Sequence, residues 1–136
     1  MEYKGNFNGA DVYDDYAHHP DEVAATISSI RASMPEKRLV LAFQPHTYTR
    51  THALFDDFVS QLKKTDVLVL AEIYAARERN TIGISSAHLA EKIPGSVYCE
   101  TLPDVTAWLK ENVQPDDVVI TMGAGDIFRA GEALLK

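Results

Sequence analysis

Arg38-Leu39-Val40-Leu41-Ala42-Phe43 runs directly into Gln44-Pro45-His46-Thr47-Tyr48-Thr49-Arg50. The first six residues are almost continuously apolar. A strand with one wet face alternates polar and apolar side chains, so an unbroken run indicates a strand covered on both faces, as in a parallel sheet between two helix layers. The next seven residues are polar and titratable. The strand therefore delivers the chain straight into a loop rich in chemistry.

Reading outward, the same unit recurs. Downstream, Thr51 is expected to cap a helix carrying Leu54, Phe55, Phe58, Val59 and Leu62. Asp66 to Ala71 is a second apolar run, followed by a polar loop from Glu72 to Asn80. Ser85 or Ser86 then caps a helix with Leu89 and Ile93, which Pro94-Gly95 breaks. Ser96 to Cys99 reads as a short strand, and Pro103 opens a helix with Val105, Trp108, Leu109 and Val113. Asp117 to Thr121 is a further strand, and Met122-Gly123-Ala124-Gly125-Asp126 turns into a last helix with Ile127, Ala130 and Leu134. Upstream, Ala10 to Asp15 is a strand. Pro20 suits the first turn of the helix that follows, where its missing N–H costs nothing. Asp21 and Glu22 favour the positive end of that helix, Val23, Ile27, Ile30 and Met34 form its apolar face, and Pro35 ends it. Residues 1–10 are polar and glycine-rich, a lead-in strand or hairpin, or the end of a linker.

Strand and helix alternate throughout. That pattern predicts an α/β fold: a Rossmann-like, three-layer open sheet, mostly parallel, with helices on both faces and right-handed crossovers. At 136 residues the chain reads as a single domain, 1–136, large enough for a hydrophobic core. A net charge of −7 argues against nucleic acid and anionic membrane as partners. No apolar run reaches the ~18 residues a membrane-spanning helix needs. Met1-Glu2-Tyr3-Lys4-Gly5 lacks a signal-peptide pattern. Cys99, the one cysteine, has no disulfide partner and fits a reducing, cytoplasmic setting as a small strand residue rather than a nucleophile.

All strands of such a sheet end at one edge, and ligands bind beyond it. Four strand-exit loops are unusually polar: Asp14-Asp15-Tyr16-Ala17-His18-His19-Pro20; Gln44, His46 and Arg50; Glu72, Tyr74, Arg77 and Glu78; and Gly123-Ala124-Gly125-Asp126. The opposite loops hold generic surface residues. Four of the five histidines (His18, His19, His46 and His52) lie in or near the exits. The chemistry suits anions. His46 and Arg50 offer a cation and a bidentate fork, and helix starts after residues 20, 51 and 126 add backbone N–H groups. Asp15 is an acceptor for ribose hydroxyls or an amine, and the His18 imidazole can give or take a proton.

Plainer readings stand beside these. Asp14, Asp15, His18 and His19 form a metal site or, since adjacent histidines do not easily face one ion, none. His19 is a helix cap or packing residue, or a ligand. The two glycines make a tight turn or a phosphate cradle. Arg77, Glu78 and Arg79 are a site element or a solvated charged run, and Tyr74 a ligand contact or a packing residue. No G-x-x-x-x-G-K-[ST] loop, G-x-S-x-G elbow or nucleophile with a paired base is present. The chain looks like one wall of a site.

Asp14-Asp15-Tyr16-Ala17-His18-His19-Pro20-Asp21-Glu22, Phe43-Gln44-Pro45-His46-Thr47-Tyr48-Thr49-Arg50-Thr51, Ile73-Tyr74-Ala75-Ala76-Arg77-Glu78 and Gly123-Ala124-Gly125-Asp126, in that order, resemble the C-terminal domain of the Mur ligases of peptidoglycan synthesis, in the branch that joins L-alanine to UDP-N-acetylmuramate. The first two motifs are highly specific and the last is weak alone. The resemblance implies a three-domain cytoplasmic enzyme. ATP and magnesium convert the muramate carboxylate to an acyl phosphate, which the alanine amine attacks. It implies nucleotide contacts from Asp15 and Tyr16, and substrate contacts from His18, His46, Arg50 and Tyr74. The phosphate loop, catalytic lysine and magnesium ligands belong to the central domain. The fragment is therefore expected to carry no catalytic residue, no metal and no tightly bound cofactor, and to be inactive alone. L-Alanine and UDP-N-acetylmuramate would be met only with the N-terminal and central domains. Thr47, Ala17 and Arg77 depart from the commonest family residues (Arg, Gly and Gly), which puts more weight on Arg50 and alters the third loop. A muropeptide-recycling ligase and a stand-alone binding module are the alternatives.

Overall fold

The computed structural model describes all 136 residues. Six strands form one sheet in the order β1-β2-β6-β3-β4-β5. They are β1 (Glu2–Phe7), β2 (Ala10–Asp15), β3 (Leu39–Phe43), β4 (Val67–Ala71), β5 (Val97–Cys99) and β6 (Val118–Met122). β1 is antiparallel to β2, and every other pairing is parallel. Asn8 and Gly9, both with positive φ, make the β1–β2 hairpin turn.

The helices are α1 (Pro20–Ser33), α2 (Tyr48–Ala53), α3 (Phe55–Leu62), α4 (Ser86–Lys92), α5 (Leu102–Asn112) and α6 (Phe128–Leu134). The chain steps in one direction across the sheet from β2 through β3 and β4 to β5, then returns to insert β6 between β2 and β3. Because each parallel crossover is right-handed, the outward steps place their helices on one face and the return step places its helix on the other. Packing follows this rule. Val23, Ile27, Phe58, Leu62, Leu89 and their neighbours on α1, α3 and α4 cover Leu41, Phe43, Leu70 and Ile120. On the opposite face Val105 and Leu109 of α5, with Ala130 and Leu134 of α6, cover Val12, Val40, Val69 and Val119. All five residues of β3 and all five of β6 are buried, which is why the opening apolar run does not alternate. Each fully buried aliphatic or aromatic side chain contributes roughly 1.5–3 kcal/mol.

The second helical segment differs from expectation. Thr47, not Thr51, caps α2, and Thr51 is a buried residue inside it, its hydroxyl donating to Thr47 O. A break at Leu54 separates α2 from α3. The last helix begins at Phe128, so Asp126 precedes it instead of opening it.

The strand-entry edge is less generic than its composition suggests. Asp117, 3% exposed, takes both nitrogens of the Arg38 fork at 3.0 and 2.8 Å and the Gln114 N–H at 2.8 Å. Asp66 takes the Arg31 guanidinium and the Leu39 N–H, both at 2.8 Å. These carboxylates fasten the helix ends to the sheet far from the polar loops.

Candidate functional site

The direction of the chain reverses around β6, and the loops leaving β2, β3 and β6 open a crevice there. The β2 exit is shaped by its own side chains. Asp15 accepts the Ala17 N–H at 2.9 Å and the Thr26 hydroxyl at 2.8 Å, tying the loop to α1. Glu22 reaches back to the N–H groups of His18 and His19 at 3.2 and 3.1 Å, so His19 sits at the N-cap of α1. Asp14 accepts the Thr121 hydroxyl at 2.8 Å, and burial raises its pKa despite that bond. The carboxylates and the two imidazoles thus face different partners, and no group of three His, Cys, Asp or Glu side chains is placed to hold a metal ion.

Four rings from three loops line up across the edge. Tyr16, 69% exposed, meets His18 edge-on with centroids 5.5 Å apart. His18 meets His46 edge-on at 5.9 Å, and His46 stacks on Tyr74 at 5.6 Å and 18°. Backbone bonds hold the last pair: Thr47 N–H donates to Tyr74 O at 2.8 Å and Tyr74 N–H to Pro45 O at 2.9 Å.

The Nδ1 atoms of the two imidazoles play opposite roles. His18 Nδ1 lies 3.1 Å from Tyr16 O; a carbonyl only accepts, so Nδ1 carries a proton, and Nε2 is the ring nitrogen without a protein partner. His46 Nδ1 lies 3.2 Å from Arg50 Nη1; a guanidinium only donates, so His46 carries its proton on Nε2. Burial, then Arg50, then His18 push the His46 pKa down. The expectation of a cationic His46 beside Arg50 is therefore corrected: His46 is a neutral donor, and the positive charge is that of Arg50. No carboxylate approaches Arg50 within ion-pair distance.

Other residues of the four polar exit loops shape this edge without having been assigned a role from the sequence. Gln44, 5% exposed, donates to Asp126 at 2.8 Å and accepts the Ile127 N–H at 3.2 Å, binding the β6 exit to the β3 exit. A polar residue at the end of an apolar run, just before Pro45, was the available clue. Gly123 and Gly125 serve close approach. A Cβ on Gly123, at φ 154°, would lie 2.8 Å from Gln44 O, and one on Gly125 would lie 2.5 Å from Tyr74 Cγ. This favours the tight-turn reading of the glycines. Glu72 accepts from Ile73, Ser85, Ser86 and Tyr98. Burial opposes its charge, but those bonds hold its carboxyl below the usual range. Glu78 leaves the solvated-run reading: it accepts both the N–H and the hydroxyl of Thr49. A cavity of about 240 Å³ adjoins the ring row, walled by Gln44, Glu72, Tyr74, Glu100 and Asp126 among others.

The edge thus brings together Tyr16, His18, His46, Arg50 and Tyr74. Asp15 lies in the same loop with both oxygens engaged internally. Residues 1–125 match the family described as Mur ligase, glutamate ligase domain. The chain belongs to this family. Among relatives of this Mur ligase domain are proteins named UDP-N-acetylmuramate–L-alanine ligase. That of Lachnospira eligens is 53% identical over 140 residues, covering 100% of this chain and 30% of its own length. That of Aquifex aeolicus is 43% identical, with coverage of 100% and 30%. The chain thus spans about 30% of the length of these relatives. Solved Mur ligase relatives share the fold. The murein peptide ligase of Psychrobacter arcticus aligns with a TM-score of 0.80 at 19% identity, over 99% of this chain and 28% of that one. The UDP-N-acetylmuramate–alanine ligase of Thermotoga maritima aligns at 0.75 and 23%, over 93% and 26%. No helix is long and apolar enough to cross a membrane.

Proposed function

We propose that the chain is the C-terminal domain of an ATP-dependent ligase that joins L-alanine to the muramate carboxyl of UDP-N-acetylmuramate. The observation that carries this reading is the 43–53% identity, across the entire chain, to ligases of that name. Residues 1–136 are then one domain of a longer, cytoplasmic, three-domain protein, and the reaction passes through an acyl phosphate attacked by the alanine amine.

The site geometry supports a recognition role. Arg50, without a carboxylate partner, suits the α-carboxylate of the incoming amino acid, held by a charge-assisted fork. His46, neutral and with its proton on Nε2, adds a donor that does not compete for the anion's counter-charge. His18 Nε2 has no protein partner, and in a neutral imidazole that nitrogen can accept a proton from an amine. Tyr74 holds the His46 ring by stacking. Tyr16, largely exposed, is free to lie against the nucleotide, and Asp15 keeps that loop in shape while its remaining lone pairs face a ribose. ATP and magnesium supply the activation chemistry from the other domains. No set of side chains here fits a magnesium ion, and no step of this chain runs through one.

The test is a chimera in which this chain replaces the matching segment of the Lachnospira eligens ligase. Phosphate release that depends on L-alanine and UDP-N-acetylmuramate is expected from the chimera and none from the 136-residue chain alone. A chimera that turns over a tripeptide but not alanine overturns the alanine reading in favour of a recycling ligase. Product formation by the isolated chain overturns the fragment reading.

A further inference from the structure

We propose that Glu78, in the loop after β4, is a positioning residue for the Arg50 guanidinium, acting through Thr49 at the start of α2. The functional consequence rests on the ligase reading above; the structural claim does not.

α2 has six residues, too few to sustain a helix alone. Its own cap is poor. Thr47 sits at φ 69°, ψ 146°, a conformation that a β-branched residue avoids, and its hydroxyl meets Arg50 N–H only at 3.4 Å. A residue held there needs outside support, and the support comes from the third loop. Tyr74 O takes the Thr47 N–H at 2.8 Å. The Glu78 carboxylate takes the Thr49 N–H at 3.0 Å and the Thr49 hydroxyl with its other oxygen. Glu78 is itself fixed by its N–H to Ala75 O at 3.0 Å, beyond Ala76 at φ 56°. A carboxylate at a helix start also faces the positive end of the backbone dipoles. Arg50 follows Thr49 directly, so its backbone is set by this clamp.

What Glu78 does not do is equally informative. Its hydrogen bonds to Thr49 come first in depressing its pKa, with Arg50 a lesser cause. No ion pair to Arg50 forms within 4 Å. The carboxylate thus fixes the Arg50 helix without neutralising the Arg50 charge, which stays available to an anion.

The test has two arms. In the 136-residue chain, imidazole ¹⁵N spectra report the His46 tautomer that the Arg50 contact fixes. Glu78→Gln and, separately, Thr49→Val should convert a fixed Nε2–H tautomer into a mixture, and Thr49→Ser should restore the native spectrum. A merely structural loss of melting temperature would not mix the tautomers. In the chimera, Glu78→Gln should raise the KM for L-alanine about tenfold while kcat changes by less than about twofold. A native His46 spectrum in both Glu78→Gln and Thr49→Val overturns the proposal whatever the kinetics. Mixed tautomers with an unchanged alanine KM uphold Glu78 as the clamp and refute the alanine-binding role of Arg50.

Discussion

Gly125→Ala tests how tightly the β6 exit is packed against the ring row. An ideal Cβ there would lie 2.5 Å from Tyr74 Cγ and 2.7 Å from Gln44 Oε1. Carbon atoms in contact sit ~3.5–4.0 Å apart, so the Tyr74 ring must retreat by about 1 Å. Tyr74 is 37% exposed and can move, at the expense of its stack on His46. Gln44 is buried, and its Oε1 already holds the Ile127 N–H at 3.2 Å; a shift of about half an ångström opens that bond. Overpacking costs ~1–3 kcal/mol, and a buried N–H left unpaired costs ~1–3 kcal/mol. Both follow from one displacement and do not add fully, so a loss of ~2 kcal/mol is expected. With an unfolding entropy of ~2.1 cal/mol/K per residue over 136 residues, the melting temperature falls by roughly 7 °C. The assay is thermal unfolding by circular dichroism, with nuclear Overhauser contacts between Tyr74 and His46 as the local readout. Gly95→Ala is the comparison. At φ 86° it has nothing within 4 Å, so it suffers only the left-handed backbone cost of ~1–2 kcal/mol and leaves the ring contacts intact. If Gly125→Ala melts with the parent and keeps the Tyr74–His46 contacts, the close-packing argument is wrong.

Arg50→Ala in the chimera is expected to lower kcat/KM for L-alanine at least about tenfold, or ~1.4 kcal/mol; an unchanged alanine dependence removes Arg50 from the site. Burial and the Glu72 carboxylate push Tyr98 up to about 12, above its ordinary 10.0. An acid whose folded pKa is raised contributes stability that is complete below pH 10 and lost as pH climbs through 12. Tyr98→Phe should therefore flatten the decline of melting temperature in that window, and an identical decline would refute the assignment. Asp117→Asn breaks a fork whose acid is buried and whose Arg38 is one-third exposed. The ~3–5 kcal/mol of a fully buried pair is discounted for that exposure to about 2 kcal/mol, read as a lower urea midpoint, and a parental midpoint counts against it.

The layered fold was legible because its signals are local. Leu39 to Phe43 announces a doubly covered strand, Pro20 and Pro103 mark helix starts, and Pro94-Gly95 marks a stop. Cap positions were harder. The N-cap role of Thr47 was not legible because it needs a positive φ, which local propensity disfavours for threonine and which the distant Tyr74 and Glu78 sustain. Of the candidate site, the clustering of His18, His46 and Arg50 at one edge followed from the strand–helix alternation alone. The charge state of His46 did not, because it depends on which of its ring nitrogens faces Arg50. The roles of Gln44 and Glu78 were invisible for a related reason: each is defined by a partner 29 or more residues away.

The insertion of β6 between β2 and β3 has a consequence for how the molecule is made. On a ribosome the chain emerges from its N-terminus, so β2 and β3 appear long before Val118–Met122. Until then the sheet has a missing central plank: β2 is paired only to the hairpin strand β1, and β3 only to β4. Both inner edges carry unpaired N–H and C=O groups, the kind of surface that recruits foreign strands. The crevice that gathers Asp15, Gln44 and Gly123 exists only once this late strand has arrived, since Gly123 N–H donates to Asp15 O and Gln44 N–H to Met122 O. Nascent chains stalled short of β6 are thus the species most exposed to misassembly, and the strand-exit edge is among the last parts of the molecule to take shape.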